Sequence, residues 1–175
     1  HASSIGACVA GLKKISALPS ITLPDKLIER GEEALKKILP RESANIFCDL
    51  ALLSLIFPYD VISKEDAKEI LAALEYHLVK DRGVMRFKTD RYYNKNDDGW
   101  SEEAEWTFGF PWLAIIYQRL GNEEKAKEYL AKTRALLHDG KLPELYYSNS
   151  NQPNENIPLG WAESLYAVAM VEISE

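Results

Sequence analysis

Apolar residues recur at helical spacing along most of the chain. Over residues 2–17, Ile5, Val9, Leu12 and Ile15 share one face with Ala, Ser and Gly between them, and the run stops at Leu18-Pro19. This spacing predicts a tightly packed helix. The pattern returns over 23–39, where Thr22 suits a cap, Pro24 and Asp25 suit a first turn, and Leu27, Ile28, Leu35 and Ile38 form a stripe ending before Pro40. Residues 45–57 are apolar on nearly every face and read as an interior helix. Residues 63–79 open with Ser63-x-x-Asp66, a capping pattern, and alternate charged and apolar faces as a peripheral helix does.

The same pairing of an apolar and a charged helix follows over 102–120 and 122–137, with Gly121 as the hinge, and a last helix is predicted over 159–173 around Trp161, Leu165, Val168 and Ala169. The count is about seven helices with no strand-like alternation, so the fold class is all-α. Alternating buried and half-exposed helices on short turns fit an α/α toroid or a helical-hairpin array, and also a plain bundle.

Composition narrows the partners. The 175 residues are 46% hydrophobic and 27% charged, with 21 Lys and Arg against 27 Asp and Glu for a net charge of −6. That is a soluble globular composition of single-domain length. Phosphate recognition draws on clustered Lys and Arg, and an acidic chain without a basic stripe points away from nucleic acid. Residues 46–61, the longest apolar stretch, are broken by Asp49, Ser54, Pro58 and Asp60, too soon for the roughly 18 residues of a membrane span. Cys8 and Cys48 each lie in an apolar run and read as two buried thiols. His1, His77 and His138 lack partners at ligand spacing, so neither a metal nor another cofactor is expected. Asp97-Asp98-Gly99 resembles a piece of a calcium loop, but without its closing Glu it reads as a solvated turn. The chain begins at His1 with no signal-peptide pattern, which leaves localisation open.

Three stretches interrupt the helical pattern: 80–98, 140–151 and 152–160. They hold Arg86, Asp90, Tyr92, Tyr93, Glu144, Tyr146 and Tyr147. Flat rings stack on apolar sugar faces and charged groups bind hydroxyls, so this mixture is the kind that lines carbohydrate clefts.

The order of motifs carries a resemblance. GVMRF-x-x-D-x-YY, then FPWL opening a helix, then GNEEKA, GKLPE and PLGW-A-x-S resemble, in that order, the second half of the catalytic domain of glycoside hydrolase family 15, the glucoamylases and glucodextranases. HASSIGACVAGL resembles the family's HAYTS-type helix, and Cys48-Asp49-Leu50-Ala51-Leu52-Leu53 its D-A-S-L-L helix. The match runs nearly the whole chain. It implies an (α/α)6 barrel of twelve helices, of which this chain, residues 1–175, holds a bit more than half as the C-terminal portion of the catalytic domain.

The resemblance implies roles for particular residues. Glu144, in Leu142-Pro143-Glu144, falls on the general base that activates water for inverting hydrolysis of an α-glucosidic bond. Arg86 and Asp90 fall on positions that bind or shape the terminal-glucose subsite, with Tyr92 beside it and Trp161 near the same sugar. Read without the resemblance, Glu144 is a loop Glu, Arg86 is a loop anchor for Asp90, and Trp161 and Trp112 are helix-core residues.

The family's general acid lies in a Trp-Glu-Glu-type segment upstream of the helix that His1-Ala2 begins. Glu102, Glu103 and Glu105 are weighed as substitutes, but a general acid requires a particular geometry before any pKa. The expectation is therefore a glucoamylase-type hydrolase acting on an α-glucan or oligosaccharide, completed by the N-terminal half of the same enzyme or by self-association. The linkage, α-1,4, α-1,6 or α,α-1,1, stays open. The alternatives are a non-catalytic carbohydrate-binding or regulatory module and a helical interaction scaffold.

Overall fold

The computed structural model describes residues 1–92 and 103–173. Among these are six α-helices, one 3₁₀ helix and a two-stranded antiparallel pair, so the protein is all-α in class. No helix among the described residues is long and apolar enough to cross a membrane. The chain divides into two compact units, His1–Tyr76 and His77–Glu175.

In the first unit, α1 (Ala2–Ser16) packs on α2 (Leu27–Ile38) and on the 3₁₀ helix Leu50–Leu55. Close approach explains the small residues of α1. A Cβ on Gly6 would collide with the buried Leu55 side chain, and one on Gly31 of α2 would lie 2.6 Å from Val9 Cγ2. Ala2, Leu35, Leu52, Leu55 and Ile70 close the core, the last from α3 (Lys64–His77). The start of α1 has its exposed N–H groups met from a distant loop: buried Glu42 accepts from Ser3 N at 3.1 Å and from Ser3 Oγ at 2.6 Å, with His1 Nδ1 3.2 Å away. A carboxylate at a helix N-terminus also opposes the helix dipole favourably.

Three sequence expectations change here. The helix predicted over 23–39 begins only at Leu27, because Lys26 adopts a left-handed backbone conformation (φ 57°) that breaks the first turn. The interior helix expected over 45–57 is a short 3₁₀ helix, capped by Asp49 Oδ1 accepting from Ala51 N at 2.8 Å. Cys48 is buried as expected, but Cys8 is exposed on α1, and neither forms a disulfide. The capping pattern before α3 holds: Ser63 Oγ accepts from Asp66 N at 3.1 Å and donates to Asp66 Oδ2 at 2.7 Å.

In the second unit, α4 (Gly109–Arg119) is the central element, packed against α5 (Glu123–Ala135) and α6 (Gly160–Glu172). Residues 109–117 of α4 are all buried, the pattern of a helix enclosed on every side. Gly121 (φ 80°) ends it in the conformation glycine tolerates best, and Asn122 Oδ1 then caps α5 by accepting from Lys125 N at 3.1 Å. On the outer side, Arg119 binds Glu172 of α6 in a two-pronged ion pair at 2.5 and 3.0 Å.

The helix expected over 102–120 is the largest revision. It starts at Gly109, and β1 (Glu105–Trp106) precedes it, paired antiparallel with β2 (Leu145–Tyr146) in the register Glu105↔Tyr146 and Trp106↔Leu145. Single bridges extend the pair, Val84↔Trp106 on one side and Tyr146↔Pro153 on the other. Pro111 suits a helix's first turn rather than its interior, and Phe108, already in the right-handed helical region, is the N-cap that starts the helix there. This small ladder gathers the loops that carry the candidate chemistry.

Candidate functional site

Arg86 and Asp90 form a two-pronged pair, Nε to Oδ2 at 2.5 Å and an Nη to Oδ1 at 2.8 Å. Asp90 is only 5% exposed, and its Oδ1 also accepts from Tyr92 N at 3.0 Å. The pair therefore fixes the loop as well as the guanidinium. Arg86 Cζ lies 4.6 Å from the centre of the Trp106 ring and 4.9 Å from that of Tyr92, within cation–π range of both. The two rings stack on each other at 5.9 Å with 18° between their planes. Tyr93 and Glu102 lie outside the described residues, as does Asp97-Asp98-Gly99.

The aromatic series continues across the site. Trp106 meets Phe108 edge-on at 5.7 Å, and Phe108 stacks under Trp161 at 4.2 Å with 14° between planes. Trp112 tilts against Trp161 at 5.5 Å and is buried, a core residue as its place in the α4 pattern predicts. Tyr92 and Trp161 are 51% and 52% exposed, so each is a half-exposed ring backed by a buried one. Such supported rings lose little freedom when a flat apolar face settles on them. Tyr146 and Tyr147, by contrast, are buried with their hydroxyls donating to Leu136 O at 2.9 Å and Glu155 Oε2 at 3.1 Å, so they serve the fold.

Glu144 reaches this region through the ladder. Just beyond the β1–β2 register, Thr107 N donates to Glu144 O at 3.2 Å, while Glu144 N donates to Asn156 O at 2.9 Å. Leu159 N and Leu142 O, 2.9 Å apart, tie the same segment to the start of α6, where Glu163 Oε1 accepts from Leu142 N at 2.7 Å. The half-buried Glu144 carboxylate accepts at Oε2 from Asn154 Nδ2 at 2.8 Å and from Asn156 Nδ2 at 2.6 Å. Among the described residues its hydrogen bonds go to these amides.

Glu105, weighed as a substitute acid, is occupied otherwise. Its carboxyl accepts from Arg82 N at 2.6 Å and from Asn149 N at 3.3 Å, joining two loops beside a polar cavity of about 920 Å³ that Lys80, Arg82, Lys132 and residues 149–151 help to line. Burial raises its pKa above the ordinary carboxylate value, Asp81 adds to the rise, and the two N–H donors and Lys80 oppose it. Glu103 accepts from Thr89 N.

Solved glycosidases share this fold. One described as wild type superposes with a TM-score of 0.77 at 18% identity, and one described as a variant in complex with glucose gives the same values. A further variant reaches 0.78. Each alignment covers 99% of this chain and 52% of the other, so the chain spans about half the length of the glycosidases it matches. The fold is glycosidase-like and corresponds to part of an all-α toroid. No protein-family model and no curated protein matches the sequence.

Four residues were invisible to the sequence reading. Trp106 and Phe108 fall inside the helix that the apolar pattern predicts over 102–120, whereas Trp106 lies in β1 and Phe108 is the N-cap of α4. Asn154 and Asn156 alternate in the irregular segment before α6. Only the ladder reveals that both amides reach one carboxylate.

Proposed function

We propose that this chain is the C-terminal portion of the catalytic domain of a glucoamylase-type, inverting glycoside hydrolase that releases glucose from the non-reducing ends of α-linked glucans or oligosaccharides. Glu144 is the general base that deprotonates water. Arg86, held by Asp90, donates charge-assisted hydrogen bonds to the terminal sugar, and Tyr92 and Trp161 supply its stacking faces. The observation that carries this reading is the joint presence, on one small ladder, of an oriented carboxylate and a guanidinium flanked by supported aromatic rings. The motif order and the fold shared with glycosidases support it.

Inversion needs a second carboxyl, a general acid about 6.5–9.5 Å from the base. Glu105 and Glu103 are engaged with backbone N–H groups of other loops. In this proposal the acid comes from polypeptide beyond this chain, in the N-terminal half of the same enzyme or from an associated copy.

The test is glucose release from maltose and maltotriose by the assembled enzyme, with the anomer followed by proton NMR. β-Glucose is the expected first product, and Glu144→Gln lowers kcat by about 10²–10⁴-fold, the usual worth of acid–base catalysis. A first product of α-glucose sinks the inverting mechanism. The half-exposed Tyr92 and Trp161 rings also favour a second reading, a carbohydrate-binding module without catalysis. It predicts that Glu144→Gln leaves sugar binding intact and that no hydrolysis exists to lose.

A further inference from the structure

We infer that Asn154 and Asn156 are positioning residues that hold the plane of the Glu144 carboxylate so that its other oxygen faces the reacting water; the inference rests on the base role proposed for Glu144. Both side-chain amides donate to the same atom, Glu144 Oε2, at 2.8 and 2.6 Å. Two donors occupy the two lone pairs of that oxygen. Oε1 carries no hydrogen bond among the described residues and is left as the proton acceptor.

The terminal torsion of a glutamate is broad, so the plane of an untethered carboxylate swings widely. Two donors converging on one oxygen narrow that swing. The donors are themselves fixed. Asn154 is 2% exposed, its backbone N donates to Leu145 O at 3.0 Å, and its Oδ1 faces Leu145 N at 3.4 Å, which leaves Nδ2 to face Glu144. Asn156 holds Glu144 twice, by side chain to Oε2 and by backbone O to Glu144 N at 2.9 Å. A general base works only when its acceptor orbital points at the proton to be removed, so geometry at Oε1 decides the rate.

Asn154→Asp keeps the shape but replaces the donating NH₂ with an acceptor, and Asn156→Ala removes a donor at a solvent-exposed position. Both are measured in the assembled enzyme beside Glu144→Gln. Each asparagine variant is expected to lower kcat about 10- to 100-fold with KM changed less than about twofold, in the range that a misplacement of about 1 Å produces. Crystal structures of the two variants are expected to show the Glu144 carboxylate rotated or in two orientations. Full kcat in the folded variants, or an unmoved carboxylate in both, overturns the inference. If those variants match the parent while Glu144→Gln is inactive, positioning alone fails. If Glu144→Gln is as active as the parent, the base role fails and the inference with it.

Discussion

Glu105 is a buried carboxyl whose role is read from its partners. Both of its oxygens take backbone N–H groups, from Arg82 and from Asn149, so it closes two loops over β1. Burial raises its pKa above 4.5, more than these donors lower it. The folded protein then holds this proton more tightly than the unfolded chain does, and the resulting stability is fully present below the unfolded value and is lost as pH rises through the folded one. Urea unfolding followed upward from about pH 4 is expected to show this decline, and Glu105→Gln, which cannot titrate, is expected to flatten it. Equal slopes for parent and variant would count against the shift. Arg86 gives a second prediction at this scale. Lys cannot reproduce the two-pronged grip on buried Asp90, so Arg86→Lys is expected to cost about 1–3 kcal/mol in urea unfolding and, under the proposed hydrolase reading, to raise KM for maltose in the assembled enzyme. Unchanged stability would mean that Asp90 finds its partners elsewhere.

Among the elements, close backbone approach makes the sharpest demand at Gly83. A Cβ there would lie 2.6 Å from Trp106 O and 2.8 Å from the carbonyl carbon of Glu105, both main-chain atoms of β1 that cannot swing aside. Gly83→Ala is therefore expected to push β1 from its bridge at Val84 and destabilise the fold by about 1–3 kcal/mol, seen as a lower Tm and weaker Trp fluorescence anisotropy at the site. A variant as stable as the parent would show that the ladder yields. The same elements show what the sequence made legible. Helices α1, α3, α5 and α6 followed from apolar period and caps, because those signals are local. The ladder did not, because two-residue strands are too short to show a period and owe their existence to partners some forty residues away. The candidate site divides along the same line. Arg86, Asp90 and Tyr92 sit within one loop and were readable as a group. The amides beneath Glu144 and the rings beneath Tyr92 and Trp161 come from separate segments, and only folding brings them together.

The chain spans about half the length of the glycosidases that share its fold, and an all-α toroid buries the inner and lateral faces of its helices against neighbours. Each unit exposes apolar side chains of the kind such neighbours cover: Ile15, Leu18 and Ile21 at and after the end of α1 in the first, Met170 and Val171 on α6 in the second. Single exposed apolar residues are ordinary, but a cluster at one helix end calls for a covering partner. The partner proposed above, the N-terminal half of the same enzyme or a second copy, makes a measurable demand on this chain by itself. It is expected to bind a hydrophobic dye and to show concentration-dependent association in light scattering. Leu18→Lys combined with Ile21→Lys should reduce both while leaving the helical circular dichroism unchanged, since neither side chain belongs to the core. Adding the N-terminal half should suppress dye binding and restore sugar hydrolysis together, because the surface that closes the fold and the carboxyl that completes the acid–base pair would arrive on the same polypeptide. A monodisperse monomer that binds no dye would remove the need for that partner and, with it, the proposed source of the acid.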